Sequence, residues 1–364
     1  MPVYIDPTRP TNGTGTFADP RNTWVGITWS ASETYLQRAE TVFAGAASIG
    51  PSQNNITFGT YDPATGAQIT DNTRHATIAN VGGQGINCNS RTGLVIDNLR
   101  IIGDASATSR HAIQALYATS TTALNLTVRR CILSAETTSS APLRVRGDGL
   151  LVEDCVLTGT GVAVAALYGD MVNATIRRST LTCAANTALF VTTTANTETE
   201  PVNLLVEEST LNAYGATVNA GDGATVRGRG ITFRRCRSDA AWDNSVLIRG
   251  QNIVLEDNKF RGYNLSNADG DGVQLVGTHD VLSLRVSGNT IGSGAFTGAK
   301  QCAIFGDSGA TAPTGSVNVI DNICEGMAFG IICNIPNARI KRNTIRGQTG
   351  SCLVLSANGI VAQS

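Results

Sequence analysis

Apolar and polar positions repeat along most of the chain as a short pattern, apolar-x-x-Asn-x-apolar. Its clearest copy is Ile340-Lys341-Arg342-Asn343-Thr344-Ile345. The pattern returns around Asn322, Asn289 and Asn258, and earlier copies carry Cys236, Ser209, Ser179, Cys155 and Cys131 in the Asn place. It begins more loosely at Asn98, where Arg100 breaks the last apolar position. The intervals between copies run from 21 to 33 residues.

Each copy is too short for a helix and reads as period-2 alternation on both sides of one bend. Repetition at this spacing predicts a solenoid. An inward Asn at a bend bonds the backbone groups that the bend leaves unpaired. Stacked over successive coils, such residues form a ladder in which Cys or Ser stands in for Asn. A further strand recurs in the intervals, as Leu143-Arg144-Val145, Val246-Leu247-Ile248, Ala303-Ile304-Phe305, Gly330-Ile331-Ile332 and Leu353-Val354-Leu355. Less regular strands at Thr41-Val42-Phe43, Ile56-Thr57-Phe58 and Ile86-Asn87-Cys88 make the opening coils. The predicted class is all-β, a right-handed single-stranded parallel β-helix. The uneven intervals exclude the steadier period of leucine-rich repeats and the regularity of hexapeptide solenoids.

Charge adds a second pattern. The two residues before the ladder place read Arg129-Arg130, Glu153-Asp154, Arg177-Arg178, Glu207-Glu208, Arg234-Arg235 and Glu256-Asp257. The sign alternates coil by coil, as stacked strands require if like charges are not to face each other. These charges are explained by fold rather than chemistry. A solenoid is quasi-one-dimensional, so one long domain is expected, with residues 1–30 as an N-terminal cap and 31–364 as the β-helix.

Composition narrows the function classes. A net charge of -1 gives no electrostatic case for nucleic acid. No apolar stretch is long enough for membrane insertion. The N-terminus lacks a basic region followed by an apolar run, so no signal peptide is read there. Nine cysteines without a Cys-x-x-Cys spacing predict buried reduced thiols rather than disulfides or zinc.

Tyr4-Ile5-Asp6-Pro7, Asn12-Gly13-Thr14-Gly15-Thr16 and Asp19-Pro20 resemble the N-terminal segment of pectate-lyase-like β-helix proteins. Asn55-Ile56-Thr57-Phe58-Gly59, followed by Ala76-Thr77-Ile78, is similar to their first coils. The superfamily comprises polysaccharide lyases, glycoside hydrolases and phage tailspike depolymerases. The resemblance implies a polysaccharide partner, a virion or extracellular location and, as in tailspikes, a homotrimer as one assembly. The rival class is a non-catalytic structural or receptor-binding solenoid.

Three groups of residues carry candidate chemistry. Gly-Asp ends a strand at Asp148, Asp170 and Asp307, and two carboxyl groups ~5–5.5 Å apart serve retaining glycosidases; turn chemistry is the alternative. Asp269, Asp271 and His279 lie in a Gly-rich stretch that loosely resembles the Asn-Thr-Asp-Gly element of polygalacturonase-type hydrolases, and Asp307 one coil on adds a carboxylate. Those four are the candidate catalytic residues. Carboxylates in such a loop are also a Ca²⁺ ligand set; no other cofactor is expected. Arg144, Arg146 and Arg249 project outward as cations for a uronate, with Tyr168 and Phe305 as rings for a sugar to stack on, and Arg146, Tyr168, Arg249 and Phe305 are the candidate substrate-binding residues.

Overall fold

The structure is a computed structural model that describes residues 1–45, 47–80, 83–103, 110–135, 140–160, 165–214, 221–261, 270–276, 283–292, 302–307 and 315–363. The described residues form strands, turns and bends with no helix, and the strands pair parallel. The chain is a right-handed parallel β-helix. It divides into two compact units, Met1–Tyr168 and Gly169–Ser364.

In the first unit, the opening strand Val3–Ile5 pairs with Thr34–Arg38, which pairs with Thr57–Tyr61. Trp24 is buried against Phe58 and donates its indole N–H to Gln37 Oε1 at 2.7 Å. Further on, Ile78, Ile101, Leu133 and Leu157 stand in register in successive strands and are all fully buried. The alternation read from the sequence thus becomes a column of aliphatic side chains at the core.

The second unit repeats the device. Val206, Phe233, Leu255, Val286, Val319 and Ile340 are register partners in six successive strands. Each sits three residues before a ladder residue, so the first apolar position of the repeat is the core column. At ~25 cal/mol per Å² of buried apolar surface, such columns are the main favourable term.

The bends are held by the predicted ladder. In the second unit, the Asn289 side-chain amide donates to Leu255 O at 3.0 Å and Asn322 Oδ1 at 2.9 Å. Its Oδ1 accepts the Asn258 backbone N–H and side-chain amide, both at 2.9 Å. Asn258, Asn322 and Asn343 repeat the pattern, and Asn343 is half-buried where the others are fully buried. Ser and Cys perform the same task more weakly: Ser179 donates its N–H to Ser209 Oγ at 3.1 Å, and in the first unit Cys131 donates to Cys155 Sγ at 3.4 Å.

The residue before each ladder residue is left-handed. Arg130, Asp154, Arg178, Glu208, Arg235, Asp257, Gly288, Asp321 and Arg342 have φ from 47° to 67°. For L-residues this costs ~1–2 kcal/mol, and the ladder bonds offset it. Asn98 corrects the start of the series. Asp97 faces Arg129 and Arg100 faces Ile132, so Leu99, not Asn98, stands opposite Cys131. Asn98 occupies the left-handed bend position (φ 55°), which suits its side chain. It donates its amide to Arg74 O at 2.8 Å.

The alternating charges meet as expected. Asp97 Oδ2 accepts Arg129 and Arg130 at 3.0 and 2.6 Å. Arg234 reaches Glu207 at 2.6 Å, and Arg285 reaches Glu256 at 2.9 Å. All nine cysteines are free thiols; eight are buried and Cys352 is exposed.

Candidate functional site

Polar side chains at a second bend make a ladder that the repeat pattern does not reveal. Two residues before the recurring strand of the second unit stand Asp222, Asn244, Asp271 and Cys302. Asn244 donates its N–H and side-chain amide to Asp222 Oδ1 at 3.1 and 3.0 Å. Asp271 donates its N–H to Asn244 Oδ1 at 2.8 Å, and Cys302 donates its N–H to Asp271 Oδ1 at 3.0 Å. In the first unit His111 donates its N–H to Gln84 Oε1, and its Nδ1 accepts the Ala141 N–H at 2.9 Å. Here each later coil donates to the earlier side chain, the reverse of the Asn ladder. The visible signal was a polar residue followed by a small one: Gln84-Gly85, His111-Ala112, Asp222-Gly223, Asn244-Ser245, Asp271-Gly272, Cys302-Ala303.

This ladder decides what Asp271 does. Its side chain is fully buried, and burial pushes its carboxyl from 3.8 up to about 7. It holds the Cys302 N–H and accepts the Gln274 amide at 3.3 Å. Burial likewise raises the Asp222 carboxyl and lowers His111 to about 4. These are core groups that satisfy backbone donors, as buried polar atoms must.

The candidate pair of Asp271 and Asp307 is not brought together. Asp307 faces Val276, five residues beyond Asp271, which is roughly 16 Å along an extended strand. Asp307 also borders a cavity of about 10 Å³ among Ile248, Leu275, Leu284 and Ile335. That is room for about one water and not a sugar ring. Asp269 and His279 lie outside the described residues. Nor do the Gly-Asp copies share one place in the coil. Asp148 stands five residues after Leu143 of the recurring strand, whereas Asp307 stands three after Ile304. Among the described residues no group of three or more His, Cys, Asp or Glu is placed to hold a metal ion.

The outward positions form two groups. In the first unit, Arg144 and Arg146 are register partners of Gln114 and Leu116. The Arg144 guanidinium carbon lies over the Tyr168 ring, 5.2 Å from its centre. A guanidinium over an aromatic face keeps N–H donors for carboxylates and hydroxyls. Arg144, Arg146 and Tyr168 are half-exposed. In the second unit, Thr225, Leu247, Gln274, Phe305 and Ile332 form one outward row. Arg227, Arg249, Val276 and Asp307 form the next, Arg249 standing opposite Val276 one residue past the Ile248–Leu275 pair. The four substrate-binding candidates all face outward, Arg146 and Tyr168 in one unit and Arg249 and Phe305 in the other.

A cleft of about 280 Å³ in the first unit is lined by Asp62, Gln68, Asp71 and Arg74. Its carboxylates are engaged within their own turns, Asp62 by Ala64 and Thr65 and Asp71 by Thr73.

Comparison with solved structures shows the same fold, a right-handed parallel β-helix. The chain is similar to a mannuronic acid specific polysaccharide family 6 lyase from human gut microbiota, with a TM-score of 0.61 and 13% identity over 98% of this chain and 82% of the lyase. It is also similar to a lacto-N-biosidase from Eubacterium ramulus, with a TM-score of 0.49 and 12% identity over 99% of this chain and 67% of that one. A tailspike capsular polysaccharide depolymerase from an Acinetobacter baumannii bacteriophage gives a TM-score of 0.46 and 11% identity over 92% of this chain and 57% of that one. No protein-family model and no curated protein matches the chain.

Proposed function

We propose that the chain is a polysaccharide-binding and polysaccharide-degrading β-helix protein of the tailspike or lyase type, acting at a virion surface or outside the cell. The observation that carries this reading is the outward group of Gln114, Arg144 and Tyr168. An amide, a guanidinium edge and an aromatic ring on adjacent strands supply the polar and stacking contacts a sugar chain needs. The likeness to the polysaccharide lyase supports the reading at the level of fold. A homotrimer belongs to the tailspike form of the same proposal.

The arrangement also bears on mechanism. Arginines beside a bound uronate would neutralise its carboxylate and favour elimination. Hydrolysis needs two carboxyl groups across one glycosidic bond, and the inward-facing Asp271 does not provide one of them. A binding-only protein is the second reading, favoured by the same inward Asp271. Incubating the full chain with a panel of bacterial and algal polysaccharides tests all three. Unsaturated products with new reducing ends mark a lyase, reducing ends alone a hydrolase, and retention without products a binder. Absence of both retention and products across the panel would overturn the proposal.

A further inference from the structure

Two carboxyl groups of the second unit do more than hold backbone at the second bend. Asp222 and Asp271 each turn one oxygen to the ladder and the other to an outward-facing residue three positions on. Asp222 Oδ1 accepts from Asn244, and its Oδ2 accepts the Thr225 hydroxyl at 2.6 Å. Asp271 Oδ1 accepts the Cys302 N–H at 3.0 Å, and its Oδ2 accepts the Gln274 amide at 3.3 Å. Gln274 is half-buried and stands in the outward row between its register partners Leu247 and Phe305. A fully buried carboxyl is thus one hydrogen bond away from the outward face.

The two copies differ in what the outer partner can do. A hydroxyl donates and accepts through one atom, so Thr225 presents the same oxygen whatever the state of Asp222. A carboxamide carries its donor and its acceptor on separate arms. Gln274 points its NH₂ at an ionised Asp271 and leaves Oε1 for the outward side. Because Oδ1 is held by the Cys302 N–H, a proton on Asp271 goes to Oδ2 and makes that oxygen a donor. The amide then rotates to bring Oε1 inward, and its NH₂ faces out.

The surroundings of Asp271 bring that proton into the neutral range. Among the described residues no cation pairs with the buried side chain, and burial without a counter-charge disfavours a carboxylate. The titratable groups facing it are the Cys302 thiol, which bonds it, and Asp243, whose negative charge opposes its ionisation. Arg249 and Asp307 lie further along, beside Val276. Burial, as the largest influence, places the carboxyl at about 7.

We propose that Gln274 is a specificity-determining residue of the outward row, and that the proton on Asp271 selects which of its atoms meets the ligand. With Asp271 ionised, Oε1 accepts from sugar hydroxyls. With Asp271 protonated, the NH₂ donates to ring oxygens, carbonyls or carboxylates. The ligand in this inference rests on the polysaccharide reading above; the rotation of the amide does not.

Neutron diffraction from crystals of the full chain held at about pH 5.5 and about pH 8.5, on either side of the buried group's range, reads the rotation directly. The alkaline form should show the Gln274 amide hydrogens directed at Asp271 Oδ2. The acid form should show a hydrogen on Oδ2 and the amide hydrogens directed outward. In solution, the polysaccharide selected by the panel should change affinity about fivefold between the same two pH values, the worth of one net hydrogen bond. Asp271→Asn keeps an oxygen for the Cys302 N–H and a permanent donor toward Gln274, so it should remove most of that change. Gln274→Leu, at a half-buried position beside Leu247, should do the same without touching the core. An amide facing the same way at both pH values would overturn the proposal and leave the polysaccharide reading standing. A pH-independent affinity in the parent, or a change that persists in Gln274→Leu, would overturn the specificity role. If no polysaccharide of the panel binds, that reading falls together with the specificity role, and diffraction still decides the rotation.

Discussion

Replacing Asn289 by Leu tests the ladder where the structure makes its role most explicit. The side chain is fully buried and serves two backbone groups at the bend, the Asn258 N–H and the Leu255 carbonyl. The Asn258 side-chain amide keeps Phe233 O, and Asn322 Oδ1 keeps the N–H of residue 289. Leaving the Asn258 N–H unpaired costs ~1–3 kcal/mol, and the lost bond to the Leu255 carbonyl adds to it, a large part of a typical total stability of ~5–15 kcal/mol. Asn289→Ser should cost less, because Ser209 already accepts a facing N–H at 3.1 Å in an earlier coil. Solenoids open repeat by repeat, so amide hydrogen exchange at Asn258 is the assay, supported by the urea midpoint. Protection there should fall steeply in the Leu variant and partly in the Ser variant. Unchanged protection at Asn258, or equal losses in both variants, would refute the ladder as the source of bend stability.

Three further outcomes follow. Burial raises the Asp271 carboxyl to about 7 from 3.8; its favourable contribution is full below that lower value and is lost as pH rises through the folded one. Asp271→Asn keeps an oxygen for the Cys302 N–H and removes the charge, so the variant should lose less stability across that window and match or exceed the parent above it; urea midpoints against pH check this. Native protein should react with a thiol reagent at Cys352 alone, and denatured unreduced protein at all nine cysteines. Arg234→Glu places like charges opposite both Glu207 and Glu256. It should destabilise by roughly 1 kcal/mol per pair, and Glu207→Arg in the same chain should recover part of that loss in thermal melts.

The fold was legible because its strongest signal is local. Phe233, Leu255, Val286 and Val319 each stand three residues before a small polar residue, and that spacing survives intervals of any length. The second ladder was not legible, because Gln84, His111, Asp222, Asn244 and Asp271 share a role and no side-chain type. Asp271 therefore read as chemistry, a carboxylate among glycines, when its task is to cap a backbone N–H inside the core. Asn98 read as the first ladder residue for a related reason: Asn suits both the ladder place and the left-handed position beside it, and only the strand register separates the two. Outward residues such as Arg249 and Phe305 were placed on the correct face by alternation alone. Which of them act together depends on pairing between coils, and Gln274 joined that row unforeseen because only the register sets it between Leu247 and Phe305.

The central claim is that a sugar chain lies on the outward strand face beside Arg144 and Tyr168. Hydroxyl-radical footprinting of the full chain, with and without the polysaccharide selected by the panel, tests it most directly. Tyr168 should oxidise several-fold more slowly in the complex, while Phe17, 41% exposed and packed against Tyr4 and Tyr61, keeps its rate. An unchanged rate at Tyr168 with protection appearing elsewhere would contradict the account.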